Sequence, residues 1–455
     1  QSESREAREK SASAVARLAY KSRENQNAVA RAGGIPMLVS TLTHAASSMK
    51  DNIELCTLIA SCIWHVADGN HDNQTSLMKE GAIPPIVGVL TNPNPPLQTN
   101  AAGALCCLSR DHPENQAALA KAGAIPPLCT MVRDGTNETK EESAAALWAL
   151  AADNVSNKSL IAKLGGIEPL VNLLVNGVSD RSSMNAANAL AALAAQHAEN
   201  RLNVIKRMVA VLAVKSPSPR AVRLLSAVAT LCDNEPTNQV AMIRSGGLPH
   251  LIMWLQHGDK EVQTQAARAM LTVASSNHTT QASIGSNGGI PPLIALVRDG
   301  VLQAQEHAVS ALWHLATLRK NHVLMKKGGD GIRHVVGLLS ASGEMAPQLA
   351  SMLLLRLAEA SSRAAGAITN AGGVAPLVRL LSEGTAATQQ MSAAILAAIG
   401  RTARNRDLII NSGAAKPLIT LIWSVTLGTP ETAARALFRL AQNDHIEDDD
   451  VSDIE

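Results

Sequence analysis

Residues 288–300 read GGIPPLIALVRDG, and this stretch decides the fold. A glycine after a helix takes the left-handed C-cap conformation at little cost, and a proline in the next first turn gives up an N–H that had no partner. The stretch is therefore a sharp corner between two helices. Near copies recur as Gly33-Gly34-Ile35-Pro36, Gly81-Ala82-Ile83-Pro84, Gly123-Ala124-Ile125-Pro126, Gly165-Gly166-Ile167, Gly246-Gly247-Leu248-Pro249, Gly328-Gly329, Gly372-Gly373-Val374 and Gly413-Ala414.

A short amphipathic segment precedes most corners and carries an Asn-led pair, as in Asn25-Gln26, Asn73-Gln74, Asn115-Gln116, Asn157-Lys158, Asn238-Gln239, Asn321-His322 and Asn405-Arg406. A second helix such as PPLIALV follows the corner, then a polar loop, then a longer Ala-rich helix such as EHAVSALWHLATL at 306–318. Three helices per unit follow from this order. Aligning the third helices by their apolar pattern makes Arg17, His65, Cys107, Ala149, Ala192, Thr230, Thr272, His314, Arg356, Ala398 and Arg439 equivalent. A unit this small cannot bury its own apolar faces, so neighbouring units must stack into a continuous core.

The three-helix unit, the GGIPPL corner and the ALWALA or ALWHLA third helix resemble the armadillo (ARM) repeat family, from about Ser11 to Gln442. The resemblance implies an all-α fold: a right-handed α-solenoid superhelix of about ten three-helix repeats plus an N-terminal partial repeat. It implies one solenoid over residues 1–442, irregular near 196–233, with an acidic tail at 443–455. It also implies a concave groove, lined by third helices, that holds an extended partner chain. The unit around NRLNVIKRMVAVLAVKSPSPRA has no glycine corner, so its first two helices are expected to run together. The extra residues THAASSMKDN, 43–52, are expected to form a longer exposed loop.

ARM proteins resembling importin-α place Trp and Asn four residues apart on successive third helices. Pairs such as Ser61/His65, Gly103/Cys107, Asn188/Ala192 and Ser310/His314 stand there instead, and no unit keeps the Trp/Asn pair. Capture of nuclear import signals is disfavoured on that ground. Trp64, Trp148 and Trp313 fall one residue before the aligned position, which turns them toward the neighbouring helix. Trp254 and Trp423 fall on second helices and read as structural. The groove row is basic toward the C-terminal half, through Arg268, His314, Arg356, Arg401, Arg435 and Arg439, with His65 and Asn188 lining it earlier. Guanidinium groups in such a row suit an acidic or phosphorylated extended peptide.

With 40 basic and 38 acidic residues the net charge is +2, so no global field draws the chain to nucleic acid or an anionic membrane. No apolar run is long enough to span a bilayer, so membrane insertion is not expected, and an upstream lipid anchor stays open. Six cysteines in apolar helix, none spaced C-x-x-C, read as buried thiols of a reducing, cytoplasmic compartment, with nuclear, cytoskeletal or ciliary association compatible. N-x-S/T triplets at Asn73, Asn137, Asn154, Asn157 and Asn277 read as loop and cap chemistry. The tail HIEDDDVSDIE is expected to be disordered, to offer an acidic-directed kinase site at Ser452, and to compete for the basic groove. No phosphate loop, zinc-binding helix motif or nucleophile elbow occurs, so no enzyme activity, cofactor or metal is expected. The reading is a non-catalytic protein–protein interaction scaffold or adaptor. The alternatives are a substrate-recruiting ARM module of a larger ubiquitin ligase and a nuclear transport adaptor.

Overall fold

The structure, a computed structural model, describes residues 2–214, 218–327 and 331–442. Among the described residues every regular element is helical. Packing divides the chain into two compact units, Gln1–Leu224 and Leu225–Glu455. The acidic tail 443–455 and the Gly328-Gly329 corner lie outside the described residues.

The first unit opens with the helix Ser2–Ala19, followed by three-helix repeats. These are Arg23–Arg31, Gly34–Ser47 and Ile53–Ala67; His71–Lys79, Ile83–Val89 and Pro95–Ser109; Pro113–Lys121, Ile125–Asp134 and Asn137–Ala151; Val155–Lys163, Ile167–Asn176 and Asp180–Ala194. The single helix Ala198–Leu212 then stands where the preceding repeats have two, so the merger expected from the missing glycine is present. Ser218–Cys232 is its third helix and crosses the division between the units. The second unit repeats the triplet from Pro236–Arg244, Gly247–His257 and Lys260–Ala274 through His278–Ser286, Ile290–Asp299 and Leu302–Leu315. It continues as Arg319–Lys327, Gly331–Leu338 and Met345–Ala360; Ser362–Asn370, Val374–Glu383 and Ala386–Ile399; Ala403–Asn411, Ala415–Ile422 and Thr429–Leu440. Within each unit third helices pack against third helices, and a second helix packs on the third helix of its own repeat. This is the stacked α-solenoid that the resemblance implies.

Corner glycines Gly33, Gly81, Gly123, Gly165, Gly246, Gly288, Gly372 and Gly413 have φ between +74° and +85°, where a side chain would be strained. Prolines occupy the first turn of Ile83–Val89, Ile125–Asp134 and Ile290–Asp299. Leu42, Ile63, Leu105 and Leu147 are fully buried. Each such side chain contributes roughly 1.5–3 kcal/mol by leaving water.

The Asn-led pairs tie the repeats together. Asn73 Nδ2 donates to Val66 O at 2.9 Å, Asn115 to Leu108 O at 2.7 Å and Asn157 to Leu150 O at 2.9 Å, each satisfying a carbonyl at the end of the preceding third helix. The following residue reaches onward: Gln26 Nε2 donates to His65 O and Gln116 Nε2 to Ala149 O, both at 2.9 Å, so a buried amide bridges one repeat to the next. Of the N-x-S/T asparagines, Asn154 and Asn277 are N-caps, whereas Asn157 belongs to this buried ladder and Asn73 is capped by Asn70.

Residues 43–52 correct the expectation of an exposed loop. The second helix runs on to Ser47 and a 3-10 turn covers Met49–Asp51, because Leu42 and Ala45 continue the buried stripe and the alanines favour helix.

Candidate functional site

Third helices present to solvent the residues that recur at three- and four-residue steps. On Leu302–Leu315 and Met345–Ala360 these include Trp313, His314, Met352, Leu355 and Arg356, all half-buried. Trp313, Met352, Leu355 and Arg356, together with Gln390, Met391, Ala394, Thr432 and Arg435, line a cleft of about 480 Å³ running across the third helices of the last four repeats. Glu359 stands at its edge.

Arg356 is held in place. Its guanidinium lies 4.1 Å from the centre of the Trp313 ring, and Nη1 donates to Trp313 O and Thr317 Oγ1, both at 2.9 Å. A cation over an indole face is attracted by the ring quadrupole, and the two hydrogen bonds fix its orientation. Burial pushes the Arg356 pKa down, and Glu359 opposes that shift. His314, beside Trp313 on the same helix, is pushed below the ordinary histidine value, first by burial and then by the Arg356 charge, and it is not among the residues lining the cleft.

The other expected groove residues are not all brought to this cleft. Arg435 lines it and is exposed, while Arg439 is half-buried and donates to Gln442 Oε1 at 3.2 Å. Arg401 is exposed in the turn between Ala386–Ile399 and Ala403–Asn411 rather than on a third helix. Arg268, on Lys260–Ala274, is half-buried and its charge lowers the pKa of His307, which burial depresses first. His65 and Asn188 are half-buried on third helices of the first unit. The His65 ring meets Tyr20 edge-on at 5.1 Å and stacks on Trp64 at 5.4 Å, and burial lowers its pKa against the opposing Asp68.

Elsewhere in the first unit the row is mixed, with Arg17 exposed and Ala192 half-buried. Cys107, Ala145 and Ala149 are buried. Trp64 lies over Gly103, where a Cβ would sit 2.5 Å from the ring. Arg181 pairs with Glu141 and Glu142 at 3.0 and 2.8 Å, and Ser179 also donates to Glu141. Trp64 and Trp313 thus lean on the next third helix as expected, and Trp313 lines the cleft as well. Trp254 is buried, but Trp423 corrects its assignment as structural: it is 83 % exposed at the end of Ala415–Ile422.

Spacing four residues back from the aligned position finds Met352, Ala394 and Arg435. It misses Trp313, Leu355, Gln390, Met391 and Thr432, which lie one, seven or eight residues before that position on the same helical faces. Counting both the three- and the four-residue step recovers them.

The model of the plant U-box protein ARM repeat region matches residues 1–289, and that of the Armadillo/beta-catenin-like repeat matches residues 276–317. No curated protein matches the chain. Among solved structures, a crystal structure of an engineered protein from the Northeast Structural Genomics Consortium is 25% identical, covering 90% of this chain and 99% of its own with a TM-score of 0.66. A second engineered protein from that consortium is 26% identical, covering 52% of this chain and 96% of its own with a TM-score of 0.48.

Proposed function

From the premise that the chain belongs to the family of the plant U-box protein ARM repeat region, we propose that it is a non-catalytic scaffold whose third-helix cleft binds an extended acidic or phosphorylated segment of a partner protein. The observation that carries this reading is the Trp313–Arg356 pair, which lines one cleft together with Arg435 and the apolar Met352, Leu355 and Met391. A preoriented guanidinium loses little entropy on meeting a carboxylate or phosphate, and the apolar lining residues accept an intervening aliphatic side chain. The Arg356 Nη1 already has two acceptors, so the ligand meets the remaining N–H groups.

The test is a titration of the whole chain with a fluorescent peptide of Glu, Asp and Leu at low salt. Arg356→Glu combined with Arg435→Glu should weaken binding about tenfold or more, a loss of about 1.4 kcal/mol or greater. Equal affinity in the variant overturns the reading. Preferential binding of a Lys-rich peptide supports the transport-adaptor alternative instead.

The family match favours one further reading, in which the same surface recruits substrates to a ubiquitin ligase. Ubiquitin transfer to a bound partner by the natural full-length protein, lost with the same two substitutions, supports it. Binding without transfer leaves the scaffold alone.

A further inference from the structure

The second residue of each first helix is exposed, and its charge inverts along the chain. In the first unit Glu24, Asp72, Glu114 and Glu199 hold this place, and the helix dipole favours a negative charge there. Uncharged Ser156, Thr237 and Thr279 hold it in three further repeats. In the last three repeats of the second unit it belongs to Lys320, Arg363 and Arg404, on Arg319–Lys327, Ser362–Asn370 and Ala403–Asn411. A cation in the first turn is opposed by the dipole. Arg319 and Arg401 stand beside these residues, and all five side chains are exposed.

Among the described residues none of the five forms an ion pair. The nearest exposed acids in sequence, Glu359 and Asp407, leave this edge of the three repeats net basic. Cations set against the dipole in three successive repeats break a local rule with no gain to the fold, which marks the edge as an interaction surface. Successive repeats step by about 9–10 Å, so Lys320, Arg363 and Arg404 follow a line of about 20 Å.

The chain supplies an anion at the end of this line. The last third helix, Thr429–Leu440, finishes on the same edge: a Cβ on Gly400, which adjoins Arg401, would meet Leu440 at 3.5 Å and Arg439 at 3.6 Å. Beyond Gln442 the sequence continues as NDHIEDDDVSDIE, with seven carboxylates in thirteen residues and neither Lys nor Arg. At about 3.3 Å per residue an extended segment of this length reaches along the whole line.

We propose that residues 443–455 lie along the first turns of the last three first helices, as an acidic strap that neutralises Lys320, Arg363 and Arg404. Tethered at Gln442, the strap has an effective concentration in the millimolar range, so weak pairing keeps it seated and screens the edge from other polyanions. The edge is a different surface from the third-helix cleft, and the proposal does not depend on the acidic-peptide reading of that cleft.

The probe is a labelled peptide copying residues 443–455, titrated at low salt by fluorescence polarisation. Every chain tested is full-length and carries Arg356→Glu and Arg435→Glu, which silence the cleft so that the edge alone is read. With Asp448, Asp449 and Asp450 changed to Asn, the chain should bind the peptide about tenfold more tightly than with its own tail intact, and high salt should erase the difference. Adding Lys320→Glu, Arg363→Glu and Arg404→Glu should weaken binding about tenfold or more. These positions are exposed, so the fold is retained, and an unchanged circular-dichroism spectrum verifies it. Equal affinity for the intact and neutralised tails, or indifference to the three edge substitutions, overturns the proposal. Binding that returns only when Arg356 and Arg435 are restored overturns it by placing the tail in the cleft. Retention of the tail-neutralised chain on phosphatidylserine vesicles, with no binding of the peptide, overturns it in favour of an anionic membrane.

Discussion

Lys158 is the residue that departs most from its surroundings. It occupies the ladder position where Gln26, Gln74, Gln116, Gln239 and Gln281 donate an uncharged amide to helix-end carbonyls. It is 2 % exposed, and its Nζ donates to Ala195 O at 2.8 Å. Burial lowers its pKa, with Asp153 opposing. The folded state therefore disfavours the ammonium, which costs stability at neutral pH, and the cost disappears as pH rises through the folded pKa toward the unfolded value near 10.4. Lys158→Gln should stabilise the chain by about 1 kcal/mol at pH 7, read from denaturant midpoints. The gain should shrink toward pH 10.5, and an equal or larger gain there contradicts the assignment. The ladder itself was only half legible in the sequence. The Asn-led pairs stand out at their interval, but a pair at the opening of a short helix reads as a cap. Only the packing reveals that Asn157 turns back to Leu150 while its neighbour crosses to the next repeat.

At the scale of the helix, the corners were readable because their chemistry is local: a left-handed glycine followed by a first-turn proline specifies a bend wherever it occurs. The groove rows were less so, because they depend on how one third helix tilts over the next. Gly103 illustrates this. In sequence it is a helix-weakening glycine, and in the structure it is the seat of the Trp64 ring on the neighbouring third helix. Gly103→Ala places a methyl where the indole now lies, so the intrinsic helix gain of about 1 kcal/mol should be outweighed by overpacking of about 1–3 kcal/mol. A lowered melting temperature together with a shifted tryptophan emission is expected. A stabilised protein with unchanged emission would mean that the contact yields easily. The helix Gly34–Ser47 shows the opposite failure: polar residues in THAASSMKDN suggested a loop, but the stripe through Leu42 and Ala45 carried the helix onward.

For the molecule as a whole, repeats stacked on neighbours make stability a sum of local terms and nearest-neighbour interfaces, so a weak repeat remains locally weak. The repeat built on Ala198–Leu212 is the candidate, since it presents one helix where others present two and leaves Arg220 exposed. Native-state hydrogen exchange should be faster along Ala198–Leu212 than along Asn137–Ala151 or Leu302–Leu315. Equal protection across all three would indicate that the merged helix is fully compensated by its neighbours.

All six cysteines are buried and free, and burial pushes the thiols of Cys62, Cys129 and Cys232 up to about 12. Alkylating reagents need thiolate, so the expected outcome of maleimide treatment of the folded protein is slow labelling, read by mass spectrometry, with fast labelling only after denaturation. A single engineered cysteine at the rim of the third-helix cleft would then take a dye or spin label ahead of the six buried thiols, making the chain a host for distance measurements on a bound peptide.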